Sequence, residues 1–277
     1  MQTTLLTPDE LRQWDTDGYI GPYPAHDADE AVRAAREVER QMLRRLRWRA
    51  NVHRLLGLRR PARHWRFQMT RNRHLDLPFV ARLCNLQTIV DRVALLLGSD
   101  LILWRSQFFL QSGKPDEGLA WHRDLYVNLL AEPRTSLSVH VAVTDAPEDN
   151  CVLILPRTHK MSTEQIASEH GLAPVAGQES NRQGSPQFYG ELKHSGAVKR
   201  MLLKQGEFFI FNEALMHASS ESASPSRARV AMGLRITVPS VKVLPLAFAD
   251  TLPKVHRCAL LRGNNVPSLN ELLPLAL

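Results

Sequence analysis

A chain of 277 residues with 44% hydrophobic content is long enough for one large domain, and no stretch approaches the ~20 consecutive apolar residues of a membrane span. Cys84, Cys151 and Cys258 are odd in number and form no C-x-x-C pair, which argues against a disulfide frame and for reduced thiols. The formal charge of +7, carried mostly by arginine, favours acidic partners: a small anionic substrate, an acidic carrier protein or nucleic acid.

The N-terminus is polar and lacks the apolar core of a signal peptide, so the expected location is cytoplasmic, with no membrane partner. Thr7-Pro8-Asp9-Glu10 reads as a helix start: a Thr cap, Pro in the first turn and Glu placed to close a capping box. Leu11 and Trp14 share a face, and Asp17-Gly18 ends the helix. Tyr19 to Pro22 reads as a short strand or turn. A longer helix is predicted from Asp27 to about Leu56, with Ala31, Ala35, Val38, Met42 and Leu46 as its apolar stripe. Its opposite face carries Arg33, Arg36, Arg40, Arg44, Arg45, Arg47 and Arg49, and basic residues continue through Arg59-Arg60 to Arg66. No groove-reading motif accompanies that charge, so nucleic acid is not expected, and a solvated face or a dock for an acidic partner is.

Leu77 to Leu97 has helical period and stops at Gly98-Ser99-Asp100. Strands follow: Leu101–Leu110, then Ser136–Thr144, whose alternation of small polar and apolar residues predicts a half-buried strand. Pro147 to Asn150 reads as a turn and Cys151–Leu155 as a short strand. Residues 161–200 are polar and without strong periodicity, as in a lid over a site. Leu202-Leu203 and Phe208–Phe211 flank a turn at Gln205-Gly206-Glu207, and Arg229–Val238 is a further strand. The tail from Pro239 has no repeat. Helices first and short strands after predict a mainly β protein with an N-terminal helical layer on a sandwich or barrel.

The chemistry-bearing motif is Trp121-His122-Arg123-Asp124. In extended chain, His122 and Asp124 point to one face and can offer an imidazole nitrogen and a carboxylate oxygen to one metal ion. His217, 95 residues later (217 minus 122), would complete a two-histidine, one-carboxylate set of the kind that leaves iron(II) open positions. Arg229, twelve residues beyond His217, opens a strand and could pair bidentately with a dicarboxylate such as 2-oxoglutarate.

These residues carry a family resemblance. The chain resembles the phytanoyl-CoA dioxygenase superfamily of Fe(II)/2-oxoglutarate oxygenases, and within it the non-haem iron halogenases of carrier-bound amino acids. The matching stretches include Gly18 to Pro22, Asn72 to Asp76, Trp104 to Phe109, Asp116-Glu117-Gly118, Trp121-His122, Thr144-Asp145, Leu215 to Ser219 and Val238-Pro239-Ser240. Pro156-Arg157-Thr158-His159-Lys160 stands where the superfamily has a Pro-Gly-Ser-His turn. The resemblance implies a double-stranded β-helix (jelly roll, cupin-like) in a single domain over 1–277. Residues 1–98 would be mainly helical support, 99–240 the core with the lid at 161–200, and 241–277 a C-terminal extension.

It also implies Fe(II) with 2-oxoglutarate and O2 as cosubstrates, His122, Asp124 and His217 as metal ligands, and Arg229 as the anchor of the cosubstrate's far carboxylate. Gln107, Arg235 and Ser219 fall at positions expected to line the cosubstrate pocket, and Trp104 at a core position. Where the halogenases have a small residue that vacates a coordination position for chloride, this chain has Asp124, which implies a hydroxylase. Leu119 and His140 replace a hydroxyl residue and a tryptophan of the halogenases. The expected reaction is hydroxylation of a small polar or anionic metabolite, such as an amino acid or a phosphonate. The alternatives are an aminoacyl group on a carrier protein, docked on the basic helix, and a non-catalytic jelly-roll binding module.

Overall fold

The computed structural model describes residues 6–55, 70–111, 119–175, 187–220, 228–245 and 258–277. Helix α1 (Pro8–Asp17) carries both halves of the expected capping box and ends at Gly18, whose φ of 81° is the left-handed cap that glycine adopts without strain. The chain then forms β1 (Tyr19–Pro24).

The single helix expected from Asp27 is a rod in two parts. Helix α2 (Ala28–Val38), capped by Asp27, leads through a π turn at Glu39–Leu43 into α3 (Arg44–Leu55). Ala31, Val38 and Met42 are buried as the stripe requires. One extra residue in a π turn rotates all that follows by about 100°. Beyond it, Arg44, Arg45, Arg47 and Trp48 are exposed, Trp48 to 65%. The basic run from Arg59 to Arg66, the expected helix end at Leu56 and the Asp116-Glu117-Gly118 stretch lie outside the described residues, as does the side chain of Leu46.

The helical stretch expected from Leu77 to Leu97 is broken. Helix α4 (Pro78–Cys84) stops at Asn85, Leu86 is extended, and α5 (Gln87–Leu97) restarts. The break gives each short helix its own apolar face, Phe79, Val80 and Leu83 on one and Ile89, Val90 and Val93 on the other, all within one hydrophobic cluster.

Strands β2 (Leu101–Gln111), β3 (Ser136–Ala142), β6 (Glu207–Asn212), β8 (Arg229–Thr237) and β9 (Ala259–Arg262) join β1 in a six-stranded sheet of order β1-β6-β3-β8-β2-β9. A second sheet has the order β5-β4-β7, from β4 (Val152–Leu155), β5 (Lys199–Met201) and β7 (Met216–Ser219). The named strand pairs are antiparallel, and the two sheets make the double-stranded β-helix. Strand β9 lies in the tail, where four residues between proline-rich stretches carry too little periodicity to announce a strand. In the 161–200 segment, a capping box at Ser162 starts a short helix, α6 (Thr163–His170), that the polar composition concealed; residues 176–186 are outside the description.

Alternation divides the six-stranded sheet into two faces. Leu137, Val139 and Val141 of β3, Phe208 and Ile210 of β6, and Val230, Met232, Leu234 and Ile236 of β8 pack on the helical layer. Intervening residues such as Ser138, His140, Phe209, Phe211, Arg229 and Arg235 point the other way. The expectation of a half-buried β3 is corrected here: all seven of its residues are buried, because its polar alternates face the interior of the roll and not water. In β2 the register shifts between Leu103 and Arg105. Trp104, buried with Tyr126 in a separate cluster, lies at the shift, and Gln107, Phe109 and Gln111 follow it on the cavity side.

Candidate metal centre

His217 lies on β7, and its position is fixed by a hydrogen-bonded pair with a residue 95 positions upstream. The His122 N–H donates to the His217 carbonyl at 2.9 Å and the His217 N–H to the His122 carbonyl at 3.0 Å. Directly opposed residues of such a pair present side chains on one side, and the two imidazole centroids stand 4.1 Å apart. His122 is paired only as an isolated bridge, to His217 and to Gln187, so the motif is an extended rim segment and not part of a strand. Arg123 turns to the opposite side, where its Nη2 donates to the carbonyls of Thr158 (2.7 Å) and Met161 (2.6 Å). The Asp124 N–H donates to the Glu213 carbonyl at 2.7 Å. Period two therefore operates as expected, on backbone bonds to distant residues.

His122, Asp124 and His217 bring one donor atom each within 4.8 Å of one another. His217 Nε2 is 3.5 Å from Asp124 Oδ2, and His122 Nε2 is 3.9 Å from Asp124 Oδ1. On both rings Nδ1 is engaged with a backbone carbonyl, Ala120 at 2.8 Å and Leu215 at 2.9 Å. A carbonyl only accepts, so Nδ1 carries the proton and each Nε2 turns a lone pair to the centre of the trio. Burial first, then the neighbouring His122, pushes the His217 pKa down to about 3, which keeps the ring neutral and able to ligate.

Burial by itself would raise the Asp124 pKa. Arg235, then the histidines and the Tyr126 hydroxyl, outweigh it and hold the carboxyl well below the usual range. Arg235 Nη2 lies 2.5 Å from Oδ2, and the Tyr126 hydroxyl donates to Oδ1 at 2.6 Å. Burial and the Arg235 side chain thus oppose each other, and the ion pair wins. The Arg235 guanidinium, expected beside the cosubstrate, is placed against the Asp124 carboxylate. Tyr126 lies outside the expected set, although it stands two residues after Asp124.

The trio borders a cavity of about 310 Å³ that Gln107, Ser219, Arg229 and Arg235 also line. This volume is at the small end for small-molecule sites. Arg229 is buried, and burial pushes its pKa down to about 10. Its Nε donates to Gln111 Oε1 at 3.0 Å, its Nη2 reaches the same oxygen and, at 3.4 Å, Ser219 Oγ. Its Nη1 is buried without a partner among the described residues. His140 lies between Phe109 and Phe209, with ring centroids 6.1 and 5.5 Å away. Its Nε2 is also buried without a partner, and burial and the charge of Arg229 hold its pKa well below the ordinary value, so it is neutral. The donors fit a mononuclear metal, and an arginine with an unsatisfied N–H fits a carboxylate in the same cavity.

A jelly roll that gathers two histidines and an aspartate at one cavity has the donor set of a mononuclear metal protein. The family model described as phytanoyl-CoA dioxygenase (PhyH) matches residues 14–231, and the chain belongs to that family. A search of curated proteins gives no match. Among solved structures, CytC3 with Fe(II) and alpha-ketoglutarate is 23% identical, with a TM-score of 0.68 over 98% of this chain and 95% of that one. The non-heme monooxygenase ThoJ, in its apo form, is 21% identical, with a TM-score of 0.67 over 95% and 86%. EctD from S. alaskensis with bound Fe is 18% identical, with a TM-score of 0.66 over 97% and 88%. At these identities the likeness is one of fold.

Proposed function

We propose that this protein is an Fe(II)- and 2-oxoglutarate-dependent dioxygenase that hydroxylates a small polar or anionic metabolite and releases succinate and CO2. The observation that carries the reading is the convergence, in one cavity, of the His122–Asp124–His217 donor set with the unsatisfied Nη1 of Arg229. Iron(II) with its two cosubstrates would supply the oxidising power for C–H hydroxylation.

The residues divide the remaining work. His122 and His217 would hold the metal through Nε2, kept in the right tautomer by the carbonyls of Ala120 and Leu215. Asp124 would fill the third protein position, oriented by Tyr126 and Arg235. Arg229, steadied by Gln111 and Ser219, would receive the far carboxylate of 2-oxoglutarate. Phe109 and Phe211 supply apolar wall against water. An anionic Asp124 at the third position also leaves a halide neither that position nor the charge balance, so hydroxyl is the group transferred.

The test is 2-oxoglutarate-dependent succinate release with Fe(II), screened over small amino acids and phosphonates. Asp124→Ala is expected to abolish it, and full turnover by that variant would remove the metal assignment. Product mass in the presence of chloride decides the group transferred: a chlorinated product overturns the reading of Asp124. A second reading, hydroxylation of an aminoacyl group on an acidic carrier protein, is favoured by the exposed arginines and Trp48 of α3. Turnover of a free substrate at a rate no lower than a tethered one would dismiss it.

A further inference from the structure

The second sheet does not end at β7. His122 pairs with His217 on that strand, and Gln187 bridges His122 antiparallel on its other flank. The bond that holds this bridge comes from flanking residues, the Phe188 N–H donating to the Trp121 carbonyl at 2.8 Å. Gln187 and His122 are therefore an opposed pair of the non-hydrogen-bonded kind, whose side chains stand closest, with Cα atoms about 4.5 Å apart. The reverse face agrees with this register. Arg123 and Phe188, each one residue on, share it, with the Arg123 guanidinium 5.8 Å from the Phe188 ring centroid. The Gln187 side chain accordingly stands beside the His122 imidazole, and it lines the cavity.

Its neighbours hold Gln187 in place. Phe188 is buried with Leu155, Ile166, Leu172 and Met216, which fastens the segment from the reverse face. On the outer edge Tyr189 exchanges both backbone bonds with Ala173, at 2.8 and 3.0 Å. The Tyr189 hydroxyl also donates to Gln187 Oε1 at 3.2 Å. With the oxygen so engaged, the two hydrogens on Nε2 are what the amide offers to the cavity, and no described residue accepts from them. Among the described lining residues, Gln187 is the only one from the 161–200 segment.

The opposite flank of His122 is already committed. There Ser219 of β7 contacts Arg229, the group that receives the far carboxylate of 2-oxoglutarate in the dioxygenase reading. A substrate must approach the metal from a side the cosubstrate leaves open, and Gln187 borders the other side. We propose that Gln187 is a substrate-recognition residue whose Nε2 donates to an oxygen acceptor on the substrate, a carbonyl, carboxylate or phosphonate oxygen. This rests on the dioxygenase reading, which assigns Arg229 to 2-oxoglutarate. A site that hydrogen-bonds one substrate group discriminates against analogues that lack it.

The test uses the full chain loaded with Ni(II) and 2-oxoglutarate, titrated with four probes. Acetate and methylphosphonate are the anionic acceptors, acetone is the neutral acceptor, and methylamine is the donor-only control. Wild type is expected to bind at least one acceptor more tightly than methylamine, and the one preferred identifies the oxygen. Gln187→Leu, which removes the amide, is expected to weaken that probe by about fivefold or more, as loss of one hydrogen bond does. Gln187→Glu keeps an oxygen for Tyr189 but replaces the donor with a second acceptor, and should weaken the probe at least as much. Nickel and 2-oxoglutarate affinities should stay within about twofold of wild type in both variants. Unchanged probe binding in either variant, no acceptor binding by wild type, or tighter binding of methylamine would overturn the proposal. A parallel loss of 2-oxoglutarate affinity in Gln187→Leu would also overturn it, by moving Gln187 to the cosubstrate. Failure of the wild type to bind 2-oxoglutarate at all would sink the dioxygenase reading itself, and the proposal with it.

Discussion

The two faces of the six-stranded sheet are built from the same strands and do opposite work. Toward the helices, β3, β6 and β8 present Val139, Ile210, Leu234 and their neighbours, a surface that gains stability by leaving water. Toward the second sheet the alternate residues include Phe209 and Phe211, and with them Ser138, His140, Arg229 and Arg235, which are buried yet polar or charged. Burying such groups costs free energy unless each finds a partner. Arg235 has one in Asp124, whereas Arg229 Nη1 and His140 Nε2 have none among the described residues. One face is therefore wholly apolar where it meets the helices, and the other sets unsatisfied polar groups beside its apolar ones.

The largest effect that would separate the faces is expected from His217→Ala. It should lower metal affinity and succinate release at least ~100-fold, with thermal unfolding of the apoprotein little changed. A loss of stability matching the loss of metal would break the division. On the helix-facing side, Leu234→Ala should cost about 2–5 kcal/mol in denaturant unfolding while the folded fraction still binds metal. Loss of metal affinity in that fraction would show the faces to be coupled.

A pH series probes the same division through His74, which sits in the layer behind β2 and hydrogen-bonds Ser106 at 2.7 Å. Burial lowers its pKa from 6.5 to about 4. The unfolded chain thus takes up a proton from about pH 6.5 downward, before the folded one does. The resulting stability is fully present above pH 6.5 and is lost as pH falls toward 4, by on the order of 1–2 kcal/mol between pH 7 and 5. His74→Asn should flatten this part of the apoprotein's stability curve, and an unaltered slope would remove the assignment. The smallest effect is expected from Tyr126→Phe, which deletes the hydroxyl on Asp124 and leaves the ring packed near Trp104. Metal affinity should fall about tenfold, and no change would mean that Arg235 alone orients the carboxylate.

Much of the site was legible in the chain because its spacing is short-range or strand-borne. His122 and Asp124 follow period two, Arg229 and Arg235 fall on one face of a strand six residues apart, and the structure places all four around one cavity. Gln111 could have been found by extending the alternation from Gln107. Arg71, which also lines the cavity, could not, since its segment has no period and is brought there by a backbone bridge to Gln107. The broken helix at Asn85 and the π turn after Val38 were equally silent, because apolar spacing continues across both.

By itself, the sequence determined the two-sided strands, the capped first helix and the residue types able to hold a metal, all set by local dihedral preference and side-chain alternation. Only the tertiary structure decided which polar alternates face a cavity and not water, that His122 and His217 lie opposite each other, and that Arg235 binds Asp124. Those outcomes depend on hydrogen-bonded pairing between segments roughly a hundred residues apart, and local preference carries no information about such a partner.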